Sequence, residues 1–205
     1  LVGMVNWTMQ PFMSDIWETM LKHVLPGLPR DGRKIFIDLA DPEKRTADDI
    51  RGAMGLLTKF QAHVDVILGL NLKEAEEIAE VLHVPHQVDR EASFATMAPS
   101  IEAMARGIRQ KLGVACVVIH PRHGAAAATE GEVASFAGPF VKQPKISTGA
   151  GDHFNAGFAT GRTLGLSLEQ SLCVGVATSG FYVREAKSPT AADLAKFIAD
   201  LPEPQ

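Results

Sequence analysis

Short apolar, β-rich runs alternate with longer amphipathic segments through this chain, and that alternation limits its fold more than anything else in the sequence. Lys34 to Leu39 (K-I-F-I-D-L), Val64 to Leu68 (V-D-V-I-L) and Cys116 to Ile119 (C-V-V-I) are short, β-branched and bounded by loop residues, which predicts strands. Between and after them, Ile50, Met54, Leu57 and Phe60, and then Ile101, Met104, Ala105, Ile108 and Leu112, recur at helical spacing. The second of these helices is expected to run from Pro99 to Leu112, where Gly113 stops it. Such a series predicts an α/β fold with a mostly parallel sheet, helices on both faces, and a ligand edge at the strand C-terminal ends. Leu1 to Val5 reads as a further short buried strand. Ser14 to Leu25 reads as a helix whose apolar stripe is Ile16, Met20 and Val24, with Trp17 and Leu21 alongside. Ala125 to Ala128 and Val133 to Phe136, joined by Thr129 to Glu132, suggest a hairpin.

At 205 residues, 46% hydrophobic and 21% charged, the chain suits one α/β domain spanning 1–205. A net charge of -4 offers no general footprint for nucleic acid, and no apolar run approaches membrane-spanning length. The two cysteines, Cys116 and Cys173, fall in a predicted strand and a predicted helix, which points to a reducing, cytoplasmic setting. A chain that starts inside a strand without Met is expected to have sequence upstream of Leu1. His83 and His86 lack companion ligands and are expected to be ordinary loop histidines. Trp7 is expected in the core, with Asn6 and Gln10 near a strand end.

Several helix starts carry a capping pattern: Thr46 to Asp49, Ser167 to Gln170 and Thr190 to Asp193. Asn71-Leu72-Lys73-Glu74 has the same form, and it lies where the Val64 strand meets the next helix, at the expected ligand edge. From the pattern alone it is a helix cap. The stretch Ser147-Thr148-Gly149-Ala150-Gly151-Asp152 is different in kind, because three small residues run into an acid and then a helix bearing Phe154, Gly157 and Phe158. Backbone amides converge at such a helix start, the helix dipole adds positive charge, and glycines admit a phosphate close to the backbone. A carboxylate there repels phosphate unless its task is to take a proton from a hydroxyl attacking it. The plainer alternative is that Asp152 caps the helix.

Residues 147–158 closely resemble the C-terminal signature of the ribokinase-like (PfkB) carbohydrate kinases, written D-T-x-G-A-G-D-x-F-x-x-G-F. The resemblance implies a ribokinase-like fold whose N-terminal part and lid are missing here, and ATP-dependent phosphorylation of a hydroxyl on a sugar or related small molecule. It assigns the anion hole to Gly149, Ala150 and Gly151 and the base to Asp152. It also implies that Asn71 and Glu74 organise Mg²⁺, through water, and phosphate, and it places Thr148, Arg122 and Thr178 among the nucleotide contacts. Two readings stand for Arg122: a phosphate contact, or a solvated loop cation. Ile146 replaces the leading Asp of the signature and Ser147 its Thr, and the first change removes a carboxylate expected to attract a monovalent cation. ATP and a sugar are thus the expected small-molecule partners, without nucleic acid or membrane, and a homodimer is compatible with the sequence. Two alternatives remain: a catalytically inactive nucleotide-binding module of the same family, and a dinucleotide-dependent oxidoreductase. The second is disfavoured because no G-x-G-x-x-G follows an early strand.

Overall fold

Six strands form one sheet in the order β1-β2-β3-β4-β5-β6 in a computed structural model that describes residues 1–204. β1 (Val2–Met4), β2 (Lys34–Asp38), β3 (Asp65–Leu70) and β4 (Cys116–Ile119) are parallel neighbours. β5 (Gly124–Ala128) and β6 (Val133–Ala137) then fold back as an antiparallel hairpin on β4. The helices are α1 (Met13–His23), α2 (Ala47–Gln61), α3 (Leu72–Val81), α4 (Phe94–Leu112), α5 (Ala150–Thr163), α6 (Leu168–Glu185) and α7 (Ala191–Ala199).

Alternation along each strand divides the core into two. Ile35 and Ile37 of β2, Val66 and Leu68 of β3, and Val117 and Ile119 of β4 face a large cluster built with α1 to α4. Phe36, Ile67, Cys116 and Val118 face the other side, where Phe154 and Phe158 of α5 and Leu168, Leu172 and Val176 of α6 cover them. The sheet is therefore covered on both faces, as its strand pattern predicts. The capping boxes at Thr46, Asn71, Ser167 and Thr190 all form, each worth about 1 kcal/mol.

Three local expectations are corrected. β1 is not buried: Leu1, Val2 and Val5 are exposed, because β1 pairs only with β2 and forms the edge of the sheet. In α1 the buried face is centred on Trp17, 1% exposed, which meets Phe60 of α2 edge-on at 6.1 Å. Ile16 and Val24 of the expected stripe point outward, since the groove above α2 takes the indole and the neighbouring Met13, Met20 and Leu21. α4 begins at Phe94, ahead of Pro99, because the Ser93 hydroxyl accepts the Thr96 amide and caps it there. Pro99 is carried inside the helix at the loss of the one bond its missing N–H would give to the Ala95 carbonyl.

α5 and α6 approach closely through glycine. A Cβ on Gly157 would lie 2.5 Å from the Thr178 hydroxyl and 2.8 Å from the Val174 carbonyl, and one on Gly161 would lie 2.9 Å from the Ser171 backbone. Gly157→Ala is predicted to lower the denaturant midpoint, since overpacking costs about 1–3 kcal/mol and outweighs the gain in helix propensity. Gly52→Ala, on the open face of α2, is the control and should raise stability by about 1 kcal/mol. Equal shifts in the two variants would contradict the close helix crossing.

Candidate active site

The C-terminal ends of β2, β3 and β4 deliver Asp38, Gly69 to Asn71 and His120 to one edge of the sheet, where α5 begins. Gly149 is the residue before α5 and adopts φ 85°, a left-handed conformation that glycine takes without strain. A Cβ there would also lie 3.2 Å from the Tyr182 hydroxyl. The Ala150 amide is committed to the Ser147 carbonyl at 3.1 Å, while those of Gly151 and Asp152 have no backbone partner among the described residues. Of the three residues expected to form the anion hole, Ala150 thus shapes the turn. The free donors at the helix start are Gly149, Gly151 and, one residue further than expected, Asp152. No side chain caps α5, so Asp152, exposed in its first turn, is not the capping residue that the plainer alternative makes it.

A cleft of about 720 Å³ opens beside this loop. Ser147, Thr148, Ala150 and Gly151 form one side, and Pro139, Phe140, Val176 and Val183 supply an apolar wall. Among the described residues Arg122 and Lys142 are its only charged lining residues, and no acid lines it. Arg122 is exposed yet borders the cleft, so both readings of it describe its position. His120 stacks on Phe154 with ring centroids 4.6 Å apart, next to Gly151. Burial pulls its pKa down to about 4, so the imidazole at this edge is neutral at pH 7.

Asn71 also lines the cleft. Its side-chain oxygen accepts the Glu74 amide at 3.0 Å, and Glu74 Oε2 accepts the Asn71 amide at 2.9 Å. Glu74 Oε1 takes the Asp41 amide at 3.0 Å, joining the loop after β2 to the start of α3. Glu74 is buried, which raises its pKa, and these two amides oppose that rise. The helix-cap role of the pair is therefore realised. Both side chains offer hard oxygen donors with lone pairs to spare, of the kind that suits Mg²⁺ through water. Among the described residues no group of three or more His, Cys, Asp or Glu side chains is placed to hold a metal. His83 and His86 lie in the stretch between α3 and α4.

The family model for prokaryotic ketohexokinases matches residues 1–201. The chain belongs to that family. A curated ketohexokinase from Haloferax volcanii is 27% identical over 199 residues, covering 97% of this chain and 50% of the relative. A solved putative sugar kinase from Clostridium perfringens superposes with a TM-score of 0.66 at 18% identity, over 97% of this chain and 55% of that one. Arabidopsis thaliana ribokinase, solved with ribose and ATP, superposes with a TM-score of 0.59 at 21% identity, over 90% of this chain and 52% of that one. These structures show the ribokinase-like fold, and the chain spans about half the length of the curated relative it matches.

Within this ketohexokinase-family site, Gly149, Ala150, Gly151, Asp152, Thr148, Asn71, Glu74 and Arg122 gather at one sheet edge. Thr178 does not join them. Its hydroxyl donates to the Val174 carbonyl at 2.7 Å and packs on Gly157, within the α5–α6 contact, while Ser179, Gly180 and Val183 of α6 line the cleft. Sequence reasoning missed Asp38 and Asn155. Asp38 follows Phe36 on the strand face that α5 covers, and its register partner on β3 is Gly69, whose missing side chain leaves room for the Phe36 ring and, at 3.1 Å from where a Cβ would lie, for Asn155 Oδ1. Asn155 Nδ2 donates to Asp38 Oδ2 at 2.6 Å, and the Ala40 amide donates to Asp38 Oδ1 at 2.9 Å. The available signal was an acid at the end of a strand, facing a buried asparagine one turn beyond Asp152.

Burial first, then the charges of Glu74 and Asp152, raise the Asp38 pKa from 3.8 to about 6. The folded state therefore holds this proton more tightly than the unfolded chain, so stability falls as pH rises from about 4 to 6 and levels off above. Two pK units correspond to about 3 kcal/mol. Asp38→Asn removes this slope, and an amide flip lets the unpartnered Asn155 Oδ1 accept from the new side chain. Urea unfolding of both proteins at several pH values is predicted to show the variant gaining about 2–3 kcal/mol on wild type between pH 4 and 7. Parallel curves would refute the buried-acid account.

Proposed function

We propose that the protein is an ATP-dependent kinase that phosphorylates a hydroxyl of a sugar, a ketohexose being the acceptor named by the family and by the Haloferax relative. The activity belongs to a protein that supplies the rest of the kinase, since the chain spans half of that relative. The observation that carries this reading is a cleft with two cations, an apolar wall and, among the described residues, no acid, which ends on the free amide of Gly151 beside that of Asp152. An adenine fits the Phe140, Val176 and Val183 side, and a polyphosphate fits the Arg122 and Gly151 side.

Asp152 carries its carboxylate just past the cleft lining, near enough to Asp38 for their charges to interact. There it orients the acceptor hydroxyl and takes its proton as the oxygen attacks the γ-phosphorus and ADP departs. The amides of Gly151 and Asp152 and the positive end of α5 stabilise the charge on the transferring group. Asn71 and Glu74 would hold Mg²⁺ through water, and the ion supplies neutralisation of phosphate charge when bound. Neutral His120 adds no charge; it supports Phe154 and the loop from behind.

Asp152→Asn is predicted to lower kcat by about 10²–10⁴-fold with nucleotide affinity within a few-fold, because the isosteric amide cannot accept the proton. Near wild-type turnover would remove Asp152 as the base, and ATP binding without turnover in the wild type would favour the inactive-module alternative. Glu74→Gln is predicted to raise the magnesium concentration giving half-maximal rate. Asn71→Ala should do the same and also cost about 1 kcal/mol through the lost cap. Unchanged magnesium dependence in both would confine the pair to capping.

A further inference from the structure

The loop before α5 is gripped by two side chains that do not line the cleft. The Tyr182 hydroxyl, from α6, donates to the Thr148 carbonyl at 2.9 Å. His153 Nδ1 lies 2.7 Å from the Gly149 carbonyl, which also accepts the His153 backbone amide at 3.1 Å. A carbonyl only accepts, so Nδ1 carries the proton, and in the neutral ring Nε2 accepts from the Ser188 hydroxyl at 2.8 Å. The two rings stack with centroids 3.6 Å apart and 12° between their planes, so each holds the other in place.

The effect on the free amides follows from peptide geometry. The peptide between Thr148 and Gly149 is trans, and in a planar trans unit the N–H points opposite the C=O. Drawing the Thr148 carbonyl toward Tyr182 therefore aims the Gly149 amide away from α6. Doubling the bond to the Gly149 carbonyl fixes the first turn of α5 and with it the direction of the Gly151 and Asp152 amides. No residue larger than glycine fits at 149 without pushing the Tyr182 hydroxyl.

We propose that His153 and Tyr182 are positioning residues that lock the Gly149 loop so that its amides meet the transferring phosphoryl group. Neither touches the substrate. The inference rests on the phosphotransfer reading of the loop, and it concerns the residue between Asp152 and Phe154, where the signature itself leaves the choice open.

The test uses the full-length protein with Tyr182→Phe, His153→Phe and His153→Asn. Both Phe variants keep an aromatic ring for stacking and lose the bond to the loop. The expected result is a fall in kcat of about 10-fold in each, with the KM for the acceptor within twofold, because misaimed donors act on the transition state. His153→Asn should recover much of that loss, since the asparagine amide can donate from the Nδ1 position. Amide exchange at Ala150 and at position 153, whose amides are bonded to the Ser147 and Gly149 carbonyls, should quicken in the Phe variants and return toward wild type in His153→Asn. Wild-type kcat and exchange in all three would overturn the proposal, as would equal losses in His153→Asn and His153→Phe that track a fall in Tm. The exchange measurement needs no turnover. If Asp152→Asn stayed active, the phosphotransfer reading would fail while exchange still decided whether the clamp holds the loop.

Discussion

The hydrogen bond from Asn155 to Asp38, 2.6 Å long between residues 117 apart in sequence, joins the two halves of the candidate site. It ties α5, whose first turn carries Asp152, to the end of β2 beside Gly69, where a side chain would meet Phe36 and Asn155. The Tyr182 and His153 bonds hold the loop to its own helices, and this link ties the first turn of α5 to the sheet. With it, the position of a carboxylate in an exposed turn is set by a buried strand. The arrangement has a cost. Asp38 is crowded by Glu74 and Asp152 and drawn out of water, and its raised pKa records the strain.

Charge is separated across the loop. On one side the cleft has Arg122, Lys142 and unpaired amides and no acid; on the other side lie Asp38, Glu74 and Asp152. A phosphate donor and a proton-bearing acceptor need opposite surroundings, and a helix N-terminus between them lets one backbone turn serve both. His120, kept neutral by burial, preserves that division at the point where the two sides meet.

Much of this was legible in the sequence because it depends on local pattern. Short apolar strand runs, helical stripes and four capping boxes each follow from residues close in the chain, and all four boxes form. The Gly149 to Asp152 loop was legible for the same reason. What escaped depends on distant neighbours: which side of α1 meets Phe60, whether β1 has a partner on its outer edge, and where Thr178 points once Gly157 packs against it. Asp38 was visible as an acid at a strand end, but its partner lay beyond any local window. The commitment of the Ala150 amide to Ser147 is a matter of turn geometry that composition does not specify.

The most direct test of the account is a crystal structure of the full-length protein with a non-hydrolysable ATP analogue and a ketohexose. The account predicts terminal phosphate oxygens about 2.7–3.1 Å from the Gly151 and Asp152 amides, and one sugar hydroxyl within about 2.6–3.2 Å of the Asp152 carboxylate. A terminal phosphate bound away from this loop, with Asp152 facing only solvent, would contradict it.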